Sequence, residues 1–191
     1  MEELRLSPGI IGVLGKEDPA SAVTAALGPE AGLYLLPREP MLEPRLSMEA
    51  NCRLLRMNTD PEKTELLDRL VDLSGLKKQG WTRPFRKDMD GERQIWKILL
   101  TLVLGGSRVL LPEALVGMNG DMRKRLDEVL AAWTAEGRTA ILTLGSLKEA
   151  LSLPSLDTLW LCRGEGIRSL SRERAETYRD REEELWKEEE T

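Results

Sequence analysis

Histidine is absent from this chain of 191 residues, and cysteine occurs only twice. No site in it can therefore use an imidazole as a general base, a proton shuttle or a metal ligand. Cys52 and Cys162 stand far apart, without the short spacing of metal ligands. This pattern favours two buried thiols in a reducing compartment over a disulfide, and it predicts no metal site.

The sequence also lacks a basic face and a long apolar run. The net charge is −5, and residues 172–190 carry most of it, with nine acidic and five basic side chains. The rest is near neutral, so we expect no nucleic-acid partner. Three charged residues among the first five precede only a short apolar run, so we expect no secretory signal there. Ile95 to Leu104 contains Lys97 and is too short to cross a bilayer. We expect no direct membrane insertion; any membrane association would go through a partner.

Short apolar runs alternate with helical patterns along the chain. Strands are predicted at Ile10–Leu14, Leu33–Leu36, Val109–Leu111, Ala140–Leu144 and Thr158–Leu161. Helices are predicted at 21–27, 47–57, 61–74, 91–104, 122–133 and 146–153. This alternation favours a mostly parallel sheet with helices on both faces. A charged helix is predicted over 171–190, and we expect it to be solvated and partly frayed. The alternative is a helix that docks on a partner surface.

Several stretches resemble, in one order, the motifs of a known family. They lie at 12–15, 35–40, 90–94, 109–113, 116–119 and 137–142. From about Leu6 to about Leu170 the chain resembles the nucleotide-binding subunits of ABC transporters. The resemblance implies a P-loop NTPase-like, three-layer α/β fold over 1–170, with a helical subdomain at about 47–104 and a charged helix or tail at 171–191. The antiparallel β-subdomain is expected to be largely missing, because little chain precedes residue 15 and the stretch 21–38 is short.

The loop after the first predicted strand departs from the family's phosphate-binding loop, G-x-x-x-x-G-K-[ST]. In that motif, backbone N–H groups cradle the phosphates, while the lysine and hydroxyl serve the β/γ-phosphates and Mg²⁺. Gly15 matches the first glycine; the second glycine, the lysine and the hydroxyl fall on Ala20, Ser21 and Ala22. Residues 17–19, Glu-Asp-Pro, add negative charge and remove a donor. We favour a plain turn in which residues 18 and 19 start a helix, and we expect no nucleotide cofactor.

The positions that would hold the metal and the attacking water are also substituted. The Walker B aspartate falls on Pro112, and Glu113 alone matches the general base. The aspartate of the next loop falls on Asn119, and the switch histidine falls on Gly145. The resemblance therefore implies no catalytic or metal-binding residue, with Glu113 as a vestige of the general base.

Two further family motifs are altered. The Q-loop glutamine, which helps to hold the metal and the attacking water, falls on Arg38. The signature motif LSGGQ faces the γ-phosphate bound by the opposite subunit. Its serine falls on Met89 and its first glycine on Asp90, while Gly91 keeps the second glycine and Gln94 matches a later glutamine. We expect Asp90 to cap the helix that follows.

The stretch around Arg38 is where a role in assembly is expected to persist. In the family, this region flanks the groove that receives a helix of the membrane permease. Met41, Leu42 and Leu46 are apolar residues of a loop. Arg38 and Arg45 could donate hydrogen bonds to the C-terminal carbonyls of a partner helix or to acidic groups. We predict that these five residues contact a partner. A plain connection, whose apolar residues cover the next helix, is the alternative.

The resemblance implies a pseudo-ATPase that assembles with an integral membrane permease, an active ABC ATPase subunit, or both, as scaffold or regulator. Such a subunit would be cytoplasmic and peripheral on the inner face of the cell membrane. One alternative is an ATP-binding subunit with residual nucleotide binding through a composite site, which the substituted signature motif disfavours. A second alternative is an unrelated α/β interaction domain.

Overall fold

A six-stranded sheet forms the centre of the fold in the computed structural model, which describes residues 6–37, 43, 45–78, 81, 82, 84, 90–163 and 166–188. The strands are β1 (Gly9–Gly15), β2 (Tyr34–Leu35), β3 (Arg108–Leu111), β4 (Thr139–Thr143), β5 (Thr158–Arg163) and β6 (Gly166–Leu170). Their spatial order is β2-β3-β4-β1-β5-β6. All neighbouring strands pair in parallel except β5 and β6, so the predicted mostly parallel sheet is confirmed.

The five predicted strands are all present, but β6 was not predicted. This strand pairs with β5 and runs antiparallel to it at the edge of the sheet. Of its five residues only Leu170 is buried, whereas Arg168 and Ser169 are exposed. An antiparallel edge strand does not need the continuous apolar run of a parallel core strand. The sequence of β6 therefore lacks the short apolar run by which the other five strands were predicted.

Eight α-helices connect and flank the strands among the described residues. They are α1 (Pro19–Leu27), α2 (Met48–Met57), α3 (Pro61–Ser74), α4 (Asp90–Leu104), α5 (Gly120–Thr134), α6 (Leu147–Leu151), α7 (Arg172–Thr177) and α8 (Glu182–Glu188). The side chains of Ser47, Asp60 and Asn119 accept backbone N–H groups at the starts of α2, α3 and α5, as predicted for N-caps. Asp90 was predicted to be a cap but is the first residue of α4.

The sheet is covered on both faces, but unequally. On one face, Val23 of α1 packs against a cluster that includes Ile11, Ile141 and Trp160, and every helical member of this cluster comes from α1. On the other face, residues of α3, α4 and α5 join one large core with the remaining strand side chains. The predicted arrangement of a parallel sheet between helices is therefore confirmed as three layers.

Helix α4 lies inside the larger core. Nine of its fifteen residues are buried, in agreement with a sequence that is apolar almost all round. Trp133 of α5 donates its indole N–H to the carbonyl oxygen of Leu102 at 3.0 Å and thereby joins α5 to α4. Among the described residues, no helix is long and apolar enough to cross a membrane.

The C-terminal part of the chain differs from the expected single solvated helix. It forms two short helices, α7 and α8, and Ala175, Leu185 and Trp186 are buried against the rest of the chain. The earlier expectation was wrong because charge content alone does not show which apolar residues find a partner surface. The boundaries predicted for a helical subdomain and for a separate tail stay predictions.

The bond between Trp133 and Leu102 allows a test of how α5 is held. We expect Trp133→Phe to lower the free energy of unfolding by about 1 kcal/mol more than Trp96→Phe. Both indoles are fully buried, but Nε1 of Trp96 has no acceptor among the described residues. The second variant therefore controls for the loss of ring volume. Chemical denaturation of both variants measures the difference, and equal losses would refute a stabilising role for this bond.

Candidate functional site

A cleft of about 880 Å³ opens at the carboxyl ends of the parallel strands. Ligands of open α/β sheets commonly bind at this edge, beyond the strand ends. The loops after β1, β2, β3 and β4 all contribute to the walls, together with the first turn of α1 and one side of α4. The cleft thus brings together seven of the motif positions assigned from the sequence, namely Gly15, Ala20, Ser21, Gln94, Pro112, Glu113 and Gly145.

The loop between β1 and α1 is closed by its own aspartate. Asp18 is the N-cap of α1 and accepts the backbone N–H of Ser21 at 3.1 Å and the Ser21 hydroxyl at 2.6 Å. Pro19 occupies the first position of the helix and has no N–H to offer. The predicted start of the helix at residues 18 and 19 is confirmed. A carboxylate therefore lies at the N-terminus of α1, where unpaired N–H groups would otherwise attract an anion.

The turn after β3 holds Glu113 in an unusual conformation. Glu113 has a φ of +50° and is the one non-glycine residue with positive φ among those described. Its N–H donates to Oγ1 of Thr143 at 2.8 Å, and its carbonyl accepts Nε2 of Gln94 at 3.2 Å. Such a conformation costs on the order of 1 kcal/mol and persists where the surroundings fix it. Glu113 is therefore positioned by bonds to β4 and α4.

The charged residues that line the cleft are mainly acidic. Glu17, Asp18, Glu113 and Glu149 lie on its walls, whereas Lys97 is the one basic residue among the described residues that line it. Burial lowers the pKa of Lys97, and the charge of Arg93 lowers it further, although Glu113 acts in the opposite direction. This charge distribution disfavours a polyanionic ligand in the cleft.

A pair of residues that sequence reasoning missed joins two of the cleft loops. Arg123 of α5 forms an ion pair with Glu149 of α6 at 2.9 Å, and both side chains are about three quarters buried. Glu149 also accepts the N–H of Gly145 at 2.8 Å, while Nε of Arg123 donates to the carbonyl of Met118 at 3.2 Å. The loops after β3 and β4 are thus connected through these two side chains. Both residues sit on ordinary polar helix faces, so the sequence carried no signal for them.

Other predicted positions lie away from the cleft or line a second cavity. Asn119 caps α5 by accepting the N–H of Met122. Gly91 is buried at the start of α4, where a Cβ would lie 2.6 Å from both the carbonyl oxygen of Gly117 and the sulfur of Met122. Ala22 lines a separate cavity beside α1. No group of three or more acidic, cysteine or histidine residues in the described part of the chain is arranged to hold a metal ion.

The predicted partner-contact region is only partly within the described residues. Arg38, Met41 and Leu42 lie outside them, as does Met89 of the signature position. Arg45 is exposed and Leu46 is half-buried. Asn51, which sequence reasoning missed, organises this loop.

The amide of Asn51 reaches both sides of the loop before α2. Its oxygen accepts the N–H of Glu43 at 2.9 Å, and its Nδ2 donates to the carbonyls of Glu43 and Ser47 at 3.1 and 3.0 Å. Asn51 is 6% exposed. A buried amide with these bonds fixes the loop that carries Arg45 and Leu46 to the first turns of α2.

The fold is similar to that of solved ATP-binding subunits of ABC transporters. One solved structure, an ATP-binding subunit of an ABC transporter, superimposes with a TM-score of 0.64 and 18% identity over 95% of this chain and 88% of its own. Another, the ADP conformation of an ATP-binding cassette of an ABC transporter, gives a TM-score of 0.67 and 11% identity over 94% and 88%. No protein-family model and no curated protein sequence matches the chain. At these identities the likeness shows the fold alone.

The close approach at Gly91 gives a steric explanation for this glycine that is independent of any ligand. We expect Gly91→Ala to destabilise the protein by about 1–3 kcal/mol, because the new methyl group must displace the Gly117 backbone or the Met122 side chain. Gly120→Ala is the matched control. Gly120 begins α5, and among the described residues outside its own helix turn no atom lies within 4 Å of its would-be Cβ, so alanine there should be neutral or slightly stabilising. Equal unfolding free energies for the two variants would contradict the steric explanation.

Proposed function

We propose that this chain is a catalytically inactive ABC ATPase-like subunit, which assembles with a membrane permease, an active ATPase subunit, or both. It acts there as a scaffold or a regulator. The observation that carries the proposal is the Asp18 carboxylate at the N-terminus of α1, which bonds to the N–H and the hydroxyl of Ser21.

Electrostatics at the start of α1 supports this proposal. A phosphate group at this helix end would have to displace the carboxylate cap, whose loss alone costs about 1 kcal/mol. It would also enter a cleft lined by Glu17 and Glu113. Like charges at close range in a partly enclosed space oppose binding. Nucleotide binding is therefore opposed both by the loss of the Asp18 cap and by repulsion from the carboxylates of the cleft.

The geometry after β3 supports the absence of hydrolysis. Pro112 follows the strand where a metal-binding carboxylate would be expected, and the next residue, Glu113, has its backbone bonded to Thr143 and Gln94. A general base acts only on a positioned water or hydroxyl, which in phosphoryl transfer is oriented beside a metal-bound nucleotide. We therefore assign Glu113 a structural role in the turn.

The exposed apolar residues of α2 support a role in assembly. Leu54 is 45% exposed and Met57 is 77% exposed, although both are large apolar side chains. They lie on the helix that follows Arg45 and Leu46, the described members of the predicted contact region. Clustered apolar residues with arginine nearby are typical of protein interfaces. In this proposal the contact is with a permease, which holds the chain at the cytoplasmic face of the membrane.

Thermal unfolding tests the nucleotide side of the proposal. A nucleotide present at a hundred times its Kd would stabilise a binding-competent protein by about 2.7 kcal/mol. We expect no rise in Tm in millimolar Mg-ATP relative to Mg²⁺ alone, both for the natural chain and for Asp18→Ala. Asp18→Ala by itself should lower the stability by about 1 kcal/mol through loss of the cap. A rise of several degrees in the natural chain would refute the inactive assignment and favour residual nucleotide binding.

Co-purification with the membrane subunit tests the assembly side. We expect Arg45→Glu combined with Met57→Asp to fold normally, because both side chains are exposed, and to lose the permease from detergent-solubilised complexes. Val116→Asp is the control, since Val116 is 60% exposed and lies in the loop after β3. It should retain the permease. If the double variant retains the permease as well, the contact region is wrongly placed.

A further inference from the structure

The C-terminal segment, residues 171–188, is attached to both ends of α6. At one end, the Arg172 guanidinium donates to the carbonyls of Leu153 and Pro154, both at 3.1 Å, and to that of Leu151 at 3.4 Å. At the other end, Oε2 of Glu182 accepts the N–H of Leu147 at 2.8 Å. A cation at the C-terminus of a helix and a carboxylate at its N-terminus both complement the helix dipole.

The same segment also reaches the loop after β1. Leu185 is fully buried and Trp186 is 8% exposed. The Lys16 ammonium lies 5.7 Å from the centroid of the Trp186 ring, within the range of a cation–π contact. The indole N–H of Trp186 donates to Oε1 of Glu182 at 3.4 Å. One carboxylate, Glu182, therefore joins the N-terminus of α6 to the side chain that covers Lys16.

Trp186 borders two cavities. One, of about 720 Å³, lies between α1 and α8 and is lined by Ala22, Ala25, Cys162 and Arg163, among others. The other, of about 120 Å³, also borders the indole. A side chain next to open volume has fewer packing contacts to hold it than one fully enclosed in a core. The anchors of the segment, together with Leu185 in the core, therefore help to fix its position.

We propose that the C-terminal segment is a latch, which through Trp186 forms one wall of the cavity between α1 and α8 and can release as a unit when its anchors on α6 are lost. Release moves Trp186 away and increases the access of solvent to Cys162, which lines the cavity. The latch reaches the loop after β1 through Lys16, and the loop after β4 through Leu147, which is two residues beyond Gly145. A partner that binds α8 and releases the latch would thereby remove a contact from each of these two loops of the cleft.

The two cysteines allow this proposal to be tested without a ligand. Cys162 lines the cavity and is 6% exposed, whereas Cys52 is fully buried in the larger core with α2. Burial raises the pKa of the Cys162 thiol to about 11 and that of Cys52 to about 12, so both should react slowly with a maleimide in the closed state. A chain with Cys52→Ala reports on Cys162 alone, and a chain with Cys162→Ala reports on Cys52.

The informative variant is Glu182→Ala, because Glu182 anchors the latch and does not itself line the cavity. We expect it to raise the rate of maleimide labelling at Cys162 about tenfold or more, as the loss of a charge-assisted bond allows. Glu183→Ala removes the same charge from the neighbouring exposed residue and should leave the rate unchanged. Trp186→Ala should label at least as fast as Glu182→Ala, because it removes the cavity wall itself.

Two results would overturn the latch. One is an unchanged labelling rate of Cys162 in Glu182→Ala, which would show that the anchor does not control access. The other is an equal increase at Cys52 in the companion chain, which would show that the substitution loosens the whole protein. An increase confined to Cys162 supports a separable latch.

Discussion

The position of β1 between β4 and β5 is the constraint on which the rest of the structure depends. All its interior residues are buried, and it pairs in parallel on both sides. The register places Val13 beside Thr143 and Gly15 beside Cys162, so the loops after β1 and β4 must leave the sheet at one edge. The cleft, the start of α1 and the cavity under α8 are all consequences of this pairing, because each is built on those loops.

Side chains of the chain itself hold the loops around the cleft. Asp18 closes the start of α1, the Arg123–Glu149 pair joins the loops after β3 and β4, and Glu182 ties α6 to α8. Each of these bonds involves a carboxylate, so the acidic character of the region also provides its cross-links. Asp18 both holds the start of α1 and places a negative charge at the cleft. This links the proposed loss of nucleotide binding to the retention of the fold.

The sequence by itself determined five of the strands that form the sheet and the starts of most helices. The caps at Ser47, Asp60 and Asn119 act on N–H groups three residues away, so they can be identified without knowing the fold. Apolar strands are likewise a local pattern, and all five that were predicted are present. The turn at residues 18 and 19 belongs with them, because an aspartate followed by proline specifies a helix start on its own.

Tertiary structure alone decided the remaining features, because each depends on residues far apart in the chain. Strand β6 exists through its pairing with β5, and the tail divides into two helices where Leu185 and Trp186 find a surface. The need for a glycine at position 91 comes from the Gly117 backbone, and the role of Glu149 comes from an arginine 26 residues away. Local patterns encode hydrogen bonds within a turn or a strand, whereas contacts between elements are specified only once the core has brought them together.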